Sequence, residues 1–383
     1  MKKILYVLFI SLLLIPFINV DAQEIDLAEN AVSAIILEPT TGEIIFEKNS
    51  HEKLHPASMT KMMSMLLIIE RINSGALSWD EIVTVSPNAS GMGGSQILLE
   101  TGEQMSVRDL FKGIAVASGN DAVVALAEKI AGTEGMFVSM MNERAKQLGL
   151  VDTNFKNPHG LDAAEHYSSA YDMAVIAREL VKYPEVLEYT SIYEDYLRKD
   201  TDRKIWLVNT NKLVRFYQGV DGLKTGYTSE AGFCLTATAK KGNTRFIVVA
   251  MGEPDSKTRN AEVTEMLDYA FARYEIENVL STDSVVGSVP VLLGKKTEVD
   301  IIPLESVTFL NEKGGAKKNA TYELKVDTLT APLKSGEKVG ELILKEDENN
   351  TRTIPVTVKE DVEKANVFDL YIRNLKQILN GIF

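Results

Sequence analysis

HPASMTKMMSMLL, His55 to Leu67, sets a serine and a lysine three residues apart, Ser58 and Lys61, at the mouth of a run that is otherwise almost all methionine, leucine and isoleucine. Taken as a helix, this run is apolar on every face, so it should be buried all round. An unpaired charge is expensive to bury, so the lysine at its start is either exposed or employed. The three-residue step puts the two side chains on one helical face, and a helix N-terminus offers free N–H groups to a developing oxyanion. Serine becomes a nucleophile only beside a base. A lysine desolvated by Met62, Met63 and Leu66 can be that base, because burial favours its neutral form. The plainer reading is a lysine that reaches back to water and a serine that caps the helix. Ser-x-x-Lys occurs three times, at Ser50/Lys53, Ser58/Lys61 and Ser335/Lys338, and only the middle one opens a buried helix.

Upstream, AVSAIILEPTTGEIIFE (Ala31–Glu47) is two apolar runs around a Pro-Thr-Thr-Gly turn, a hairpin signal. Downstream, SGMGG (Ser90–Gly94) reads as a flexible loop, and the chain from Val107 to Asp172 is mostly helical by apolar period. From Gly222 the period changes: GLKTGYT, FCLTATAKK and TRFIVVAMG are strand-like, and AEVTEMLDYAFARYE returns to helix. Together these predict one α/β (α+β) unit with an antiparallel sheet and a helical insertion. After about Asn278, short strands with frequent turns predict a small all-β, sandwich-like domain. Four segments follow: 1–22, 23–277, 278–362 and 363–383.

Two further polar sets interrupt apolar elements. Ser118-Gly119-Asn120 breaks the helical run AVASGNDAVV, as a helix-to-helix turn would. Lys224-Thr225-Gly226 lies on a predicted strand, so Lys224 and Gly226 face one side. A glycine there permits close approach of a ligand to the backbone; an edge-strand lysine beside a bulge is the bland alternative.

The 383 residues exceed one ordinary domain, and their formal charge of -13 argues against a nucleic-acid partner. Lys2-Lys3, the apolar Ile4–Ile18 and Val20-Asp21-Ala22 read as an export signal cleaved after Ala22. Cys234, the single cysteine, excludes an intramolecular disulfide and reads as a small buried hydrophobe. The four histidines are His51, His55, His159 and His166. His159, Asp162 and His166 can be drawn as zinc ligands, but bland loop histidines are the simpler reading, and neither metal nor cofactor is expected.

Ser-x-x-Lys, Ser-x-Asn and Lys-Thr-Gly, in that order on a helix, a loop and a strand, are the set of penicillin-binding proteins and the related β-lactamases. The chain resembles the D-alanyl-D-alanine carboxypeptidases, the low-molecular-mass penicillin-binding proteins. SGMGGSQILLE, NPHGLDAAEHYSSAYDMA, NTNKL and VDGLKTGYTSEAGFCLTATA carry the likeness too, most specifically across Ala31–Tyr274. The resemblance implies Ser58 as the acylated nucleophile and Lys61 as its base. It implies Ser118 as a proton relay to the leaving amine, and Asn120 as holder of the substrate amide and orienter of Lys61. Lys224 would add positive potential and Thr225, in Lys-Thr-Gly226, would bind the terminal carboxylate. The backbone N–H groups of Ser58 and Tyr227 would form the oxyanion hole. The family often has histidine where Tyr227 stands, a change that a backbone role survives. Arg259 falls where the family places an arginine near the substrate carboxylate. The partners implied are a peptidoglycan pentapeptide stem ending in D-Ala-D-Ala and β-lactam antibiotics.

A serine β-lactamase would share the triad, but no Glu with an Asn a few residues on appears between Asn157 and Tyr189, and Gly119 stands where those enzymes usually have Asp. A membrane-tethered binding protein with a dead site would be free to lose Ser58, Lys61 or Lys224. Finally, Val367–Phe383 on a helix gathers Val367, Phe368, Tyr371, Ile372, Leu375, Ile378, Leu379, Ile382 and Phe383 into an arc of about 160°. It is too short and polar to span a bilayer, and reads as an interfacial helix holding an exported protein to the outer face of the cytoplasmic membrane.

Overall fold

The computed structural model describes residues 26–379 apart from 316–317, 319–320 and 346–350. The expected export signal, 1–22, lies outside the described residues, as does the end of the C-terminal segment. The predicted hairpin is β1 (Ser33–Leu37) and β2 (Ile44–Lys48), paired antiparallel. Its turn is pinned by the Glu38 carboxylate, which accepts the N–H groups of Thr40 (2.9 Å) and Thr41 (2.6 Å). β3 (Val220–Thr228), β4 (Gly232–Lys241) and β5 (Thr244–Glu253) complete a five-stranded sheet of order β2-β1-β5-β4-β3, antiparallel throughout.

Strand alternation splits this sheet between two cores. Ile35, Leu37, Ile247 and Val249 join a large helical core; Ala34, Ile36, Val248 and Ala250 face the opposite way. The first core is the predicted helical insertion: α1 (Lys61–Asn73), α2 (Val107–Ala117), α3 (Asn120–Ala131), α4 (Glu134–Gln147) and α5 (Ala170–Leu180). Every residue of α1 from Lys61 to Ile69 is buried, as its all-round apolar pattern predicts. Its seven apolar side chains there contribute about 1.5–3 kcal/mol each by area removed from water. α6 (Ser256–Arg273) covers the other face through Val263, Met266, Leu267 and Ala270. Asp255 caps it, accepting from the N–H groups of Lys257 and Thr258.

α6 runs into β6 (Tyr274–Leu280) with no intervening residue, and the expected boundary at 277/278 falls inside this strand. β6 pairs with β7 (Val307–Glu312) in a two-stranded sheet. Val307 and Phe309 of that layer share a core with Ile301, Leu342, Leu344, Ile354, Val356 and Val358 of a six-stranded sheet, so the second unit is all-β and two-layered, as expected. Leu310 of β7 joins the α6 core, and Lys318 Nζ reaches Glu43 on the first unit at 2.6 Å.

The last described helix, α7 (Val367–Leu379), begins with a reciprocal cap: Asn366 Oδ1 accepts from Asp369 N (2.8 Å) and Asp369 Oδ2 from Asn366 N (3.1 Å). Arg373 donates to the carbonyls of Gly294 (2.7 Å) and Lys295 (3.0 Å), while Val367 and Phe368 are 85% and 70% exposed and Tyr371 and Leu375 are also exposed. Among the described residues no helix is long and apolar enough to cross a membrane.

Candidate active site

Ser58 sits in a 3-10 turn, Ala57–Thr60, that leads directly into α1. Lys61 Nζ lies 2.9 Å from Ser58 Oγ and donates to the carbonyl of His159 at 2.7 Å. Lys61 is fully buried, so it does not reach back to water. Burial drives its pKa well below that of a free lysine, the neighbouring charge of Lys224 lowers it further, and Asp121 pulls the other way. Once neutral, the amine can take the hydroxyl proton across the same 2.9 Å contact.

Ser118 ends α2 in the left-handed region, with φ 63°, and Asn120 opens α3 two residues later. The polar break read from the sequence is thus a sharp corner between two buried helices. A non-glycine residue in this region stores strain, a pattern that clusters at functional sites. Ser118 Oγ and Asn120 Oδ1 are both buried with no hydrogen-bond partner, and each costs about 1–3 kcal/mol while it stays unpaired. Asn120 Nδ2 donates to the carbonyl of Gly93 (2.7 Å), and Asn120 N to that of Ser95 (2.7 Å). The expected tie from Asn120 to Lys61 is not among these bonds; the His159 carbonyl holds Lys61 instead. The loop expected to be flexible, Ser90–Gly94, is tied to α3 by the Gly93 contact, and the Asp121 carboxylate accepts the N–H groups of Ile97 (3.1 Å) and Leu99 (3.0 Å) just after it.

β3 brings the third set alongside. Lys224 and Gly226 pair with Thr236 and Cys234 of β4, on the face toward the Ser58 turn. Gly226 is required here, but by protein rather than ligand: a Cβ would lie 2.7 Å from the Pro56 carbonyl oxygen and 3.1 Å from Ala57 Cβ. This contact packs the turn that carries Ser58 against β3 beside Tyr227. Gly160 is a second close approach, since a Cβ there would lie 1.8 Å from the Ala57 carbonyl oxygen. Lys224 is buried and donates to the Thr225 carbonyl (3.1 Å); burial, then the charge of Arg259, pushes its pKa down to about 7. The Thr225 hydroxyl donates to Thr210 Oγ1 at 2.7 Å. Arg259, near the start of α6, is buried and donates to Asn260 Oδ1 and to the Cys234 carbonyl. Tyr227 is 58% exposed, and its ring lies tilted by 32° against Phe233, with centroids 4.3 Å apart.

Lys61 is thus in contact with Ser58, Lys224 and Asp121 act on its charge from nearby, and Ser118 and Asn120 are buried at the corner between α2 and α3. Three contributors were not read from the sequence: the His159 carbonyl, the Asp121 carboxylate and the Thr210 hydroxyl. All three sat in quoted stretches, NPHGLDAAEHYSSAYDMA, AVASGNDAVV and NTNKL, without being singled out for these roles.

The two histidines that can be drawn as zinc ligands are occupied. His159 Nδ1 accepts the N–H of Leu161 (3.1 Å), which leaves Nε2 protonated toward Glu134 (3.5 Å). His166 Nδ1 accepts the N–H of Lys156 (3.0 Å), and Nε2 lies 2.9 Å from Thr60 Oγ1. Burial lowers the His166 pKa to about 4. Cys234 is buried, and burial pushes its pKa up to about 11, away from nucleophilic use.

Comparison with known proteins gives a consistent result. Residues 19–255 match the family model for D-alanyl-D-alanine carboxypeptidase, and residues 274–364 match that for the penicillin-binding protein 5 C-terminal domain. The chain is 47% identical over 382 residues to D-alanyl-D-alanine carboxypeptidase DacF of Bacillus subtilis, covering 98% of each. It is 34% identical over 351 residues to DacD of Escherichia coli, covering 88% of each. Among solved structures, penicillin-binding protein 5 from Haemophilus influenzae aligns with a TM-score of 0.71 at 33% identity, over 88% of this chain and 98% of that one. Penicillin-binding protein D2 from Listeria monocytogenes in its ampicillin-bound form aligns at 0.57 and 31% identity, over 63% and 98%.

Proposed function

The chain belongs to the D-alanyl-D-alanine carboxypeptidase family, and on that premise we propose that it removes the terminal D-alanine from peptidoglycan pentapeptide stems through an acyl-enzyme on Ser58. The observation that carries this reading is the Lys61 amine, fully desolvated and 2.9 Å from Ser58 Oγ. Neutral Lys61 takes the Ser58 proton as Oγ attacks the carbonyl of the penultimate D-Ala. The N–H groups of Ser58 and Tyr227 receive the developing oxyanion. Ser118 passes a proton to the leaving amine, D-alanine departs, and water hydrolyses the ester. The unpaired Ser118 Oγ and Asn120 Oδ1 support this, because a substrate amide would satisfy what the free protein leaves open. Thr225, Lys224 and Arg259 read the terminal carboxylate. A β-lactam enters by the same attack and stays as a long-lived ester.

The location proposed is the outer face of the cytoplasmic membrane, after export. α7 supports it: its Arg373 side is spent on β-domain carbonyls, while Val367, Phe368, Tyr371 and Leu375 face solvent. Incubation with a pentapeptide ending in D-Ala-D-Ala should release free D-alanine. No release, or rapid turnover of nitrocefin in its place, refutes the proposal.

A further inference from the structure

Beside Arg259 lies a carboxyl group that the chemistry above does not use. Glu253 ends β5, is 1% exposed, and receives no hydrogen bond on either carboxyl oxygen; its side-chain partner is the neighbouring carboxyl of Glu262. It faces Glu262 and Arg259 from α6, Asp255 from the turn that enters α6, and the Cys234 thiol from β4. Glu262 is committed elsewhere. Its Oε1 accepts from Asn30 N (2.9 Å) and Asn30 Nδ2 (2.6 Å), and its Oε2 from Ala31 N (3.3 Å). Two adjacent buried carboxyl groups do not readily ionise together, so the proton resides on Glu253. Burial, then the Glu262 carboxylate, pushes the Glu253 pKa up to about 8, against the opposing pull of Arg259.

Arg259 spends its donors on neutral acceptors, Asn260 Oδ1 (3.1 and 2.9 Å) and the Cys234 carbonyl (3.4 Å). Among the described residues no carboxylate oxygen lies within 4.0 Å of its guanidinium. A buried cation met only by neutral dipoles is available to an anion that a ligand brings. An ionised Glu253 would compete for it from within.

We infer that Glu253 is a positioning residue for carboxylate recognition: as a neutral acid it leaves Arg259 free for the substrate's terminal carboxylate, and as an anion it draws that charge inward. The inference rests on the reading of Arg259 given under Proposed function. It predicts that affinity for the free-acid substrate falls in alkaline solution through a group outside the catalytic set.

The test is the pH profile of KM and kcat for a D-Ala-D-Ala peptide, in the wild type and in Glu253→Gln. Deprotonation of Lys224 is common to both and cancels in their ratio. From about pH 7 to 9.5 the wild-type KM should rise about fivefold or more relative to the variant, the low end of a coupling between sites, while the kcat ratio stays flat. Superimposable KM profiles overturn the inference, because a merely structural role would leave the pH dependence unchanged. Should the variant fail to fold, the wild type alone decides. Its preference for free-acid over C-terminally amidated peptide should then fall in two steps, one near pH 7 as Lys224 loses its proton and a second near pH 8 as Glu253 ionises. A preference that falls only in the Lys224 step, with no further loss near pH 8, overturns the role of Glu253 while leaving Arg259 intact. No preference at any pH overturns the reading of Arg259, and this inference with it.

Discussion

The carbonyl oxygen of Pro56 sits against Gly226, so that a Cβ on Gly226 would lie 2.7 Å away from it. The turn that presents Ser58 and the strand that presents Lys224 and Thr225 are therefore spaced by the absence of one methyl group. Gly226→Ala should push β3 from the turn by a few tenths of an ångström. Acylation by penicillin should slow at least about tenfold and stability fall by about 1–3 kcal/mol, as for other overpacked sites. Stopped-flow acylation and thermal melts check both, and unchanged acylation would mean that this spacing does not set the chemistry.

Ser58 should form one penicilloyl ester. Intact-mass spectrometry after incubation with benzylpenicillin should show a single adduct, absent in Ser58→Ala. An adduct that survives the substitution assigns the nucleophile elsewhere.

Lys61 should act in its neutral form. Its pKa is lowered by burial and by Lys224, so the acylation rate should climb as pH rises through that lowered value and then level off. Lys61→Arg stays protonated at any accessible pH and should acylate about 10²–10⁴-fold more slowly. Wild-type rates in that variant would remove Lys61 from the role of base.

Amidation of the substrate's terminal D-alanine should lower kcat/KM about thirtyfold, or about 2 kcal/mol, by leaving Thr225, Lys224 and Arg259 without their charged partner. Equal cleavage of free and amidated peptides would contradict the carboxylate reading of Lys-Thr-Gly.

Stability should depend on His166 in mildly acid solution. Its folded pKa, about 4 against an ordinary 6.5, is depressed by burial. Between those values the unfolded chain binds a proton that the native protein does not, so stability is fully present above about pH 6.5 and falls as pH drops toward 4. The loss from this one group is about 3 kcal/mol. Urea denaturation at several pH values should show that His166→Gln, though less stable at neutral pH, loses less between pH 6.5 and 4.5. Parallel slopes would place the acid sensitivity in other groups.

Which features were legible follows from what a side-chain pattern encodes. Residue type and spacing single out Ser58, Lys61, Ser118, Asn120 and Lys224, and the all-round apolar period of α1 announced its burial. The His159 carbonyl was not legible, because any residue supplies a carbonyl and only the fold aims it at Lys61. Asp121 and Thr210 act through partners distant in sequence, Ile97 and Thr225. The left-handed corner at Ser118 also has no signature, since serine is not the residue such a backbone prefers. Gly226 was noticed, but its constraint turned out to be Pro56, 170 residues earlier in the chain.

α6 passes into β6 at Arg273 and Tyr274 with no hinge, and three further ties brace the junction: Lys313 to the carbonyls of Arg273 and Phe271, Arg273 to Glu312, and Lys318 to Glu43. A braced joint transmits position as well as force. If α7 rests on a membrane, the catalytic gap is carried at a set height above it, like a blade on a fixed post. The enzyme's working plane within the wall would then be a dimension of its second domain, and stems lying nearer or farther would escape trimming however well they fit the site.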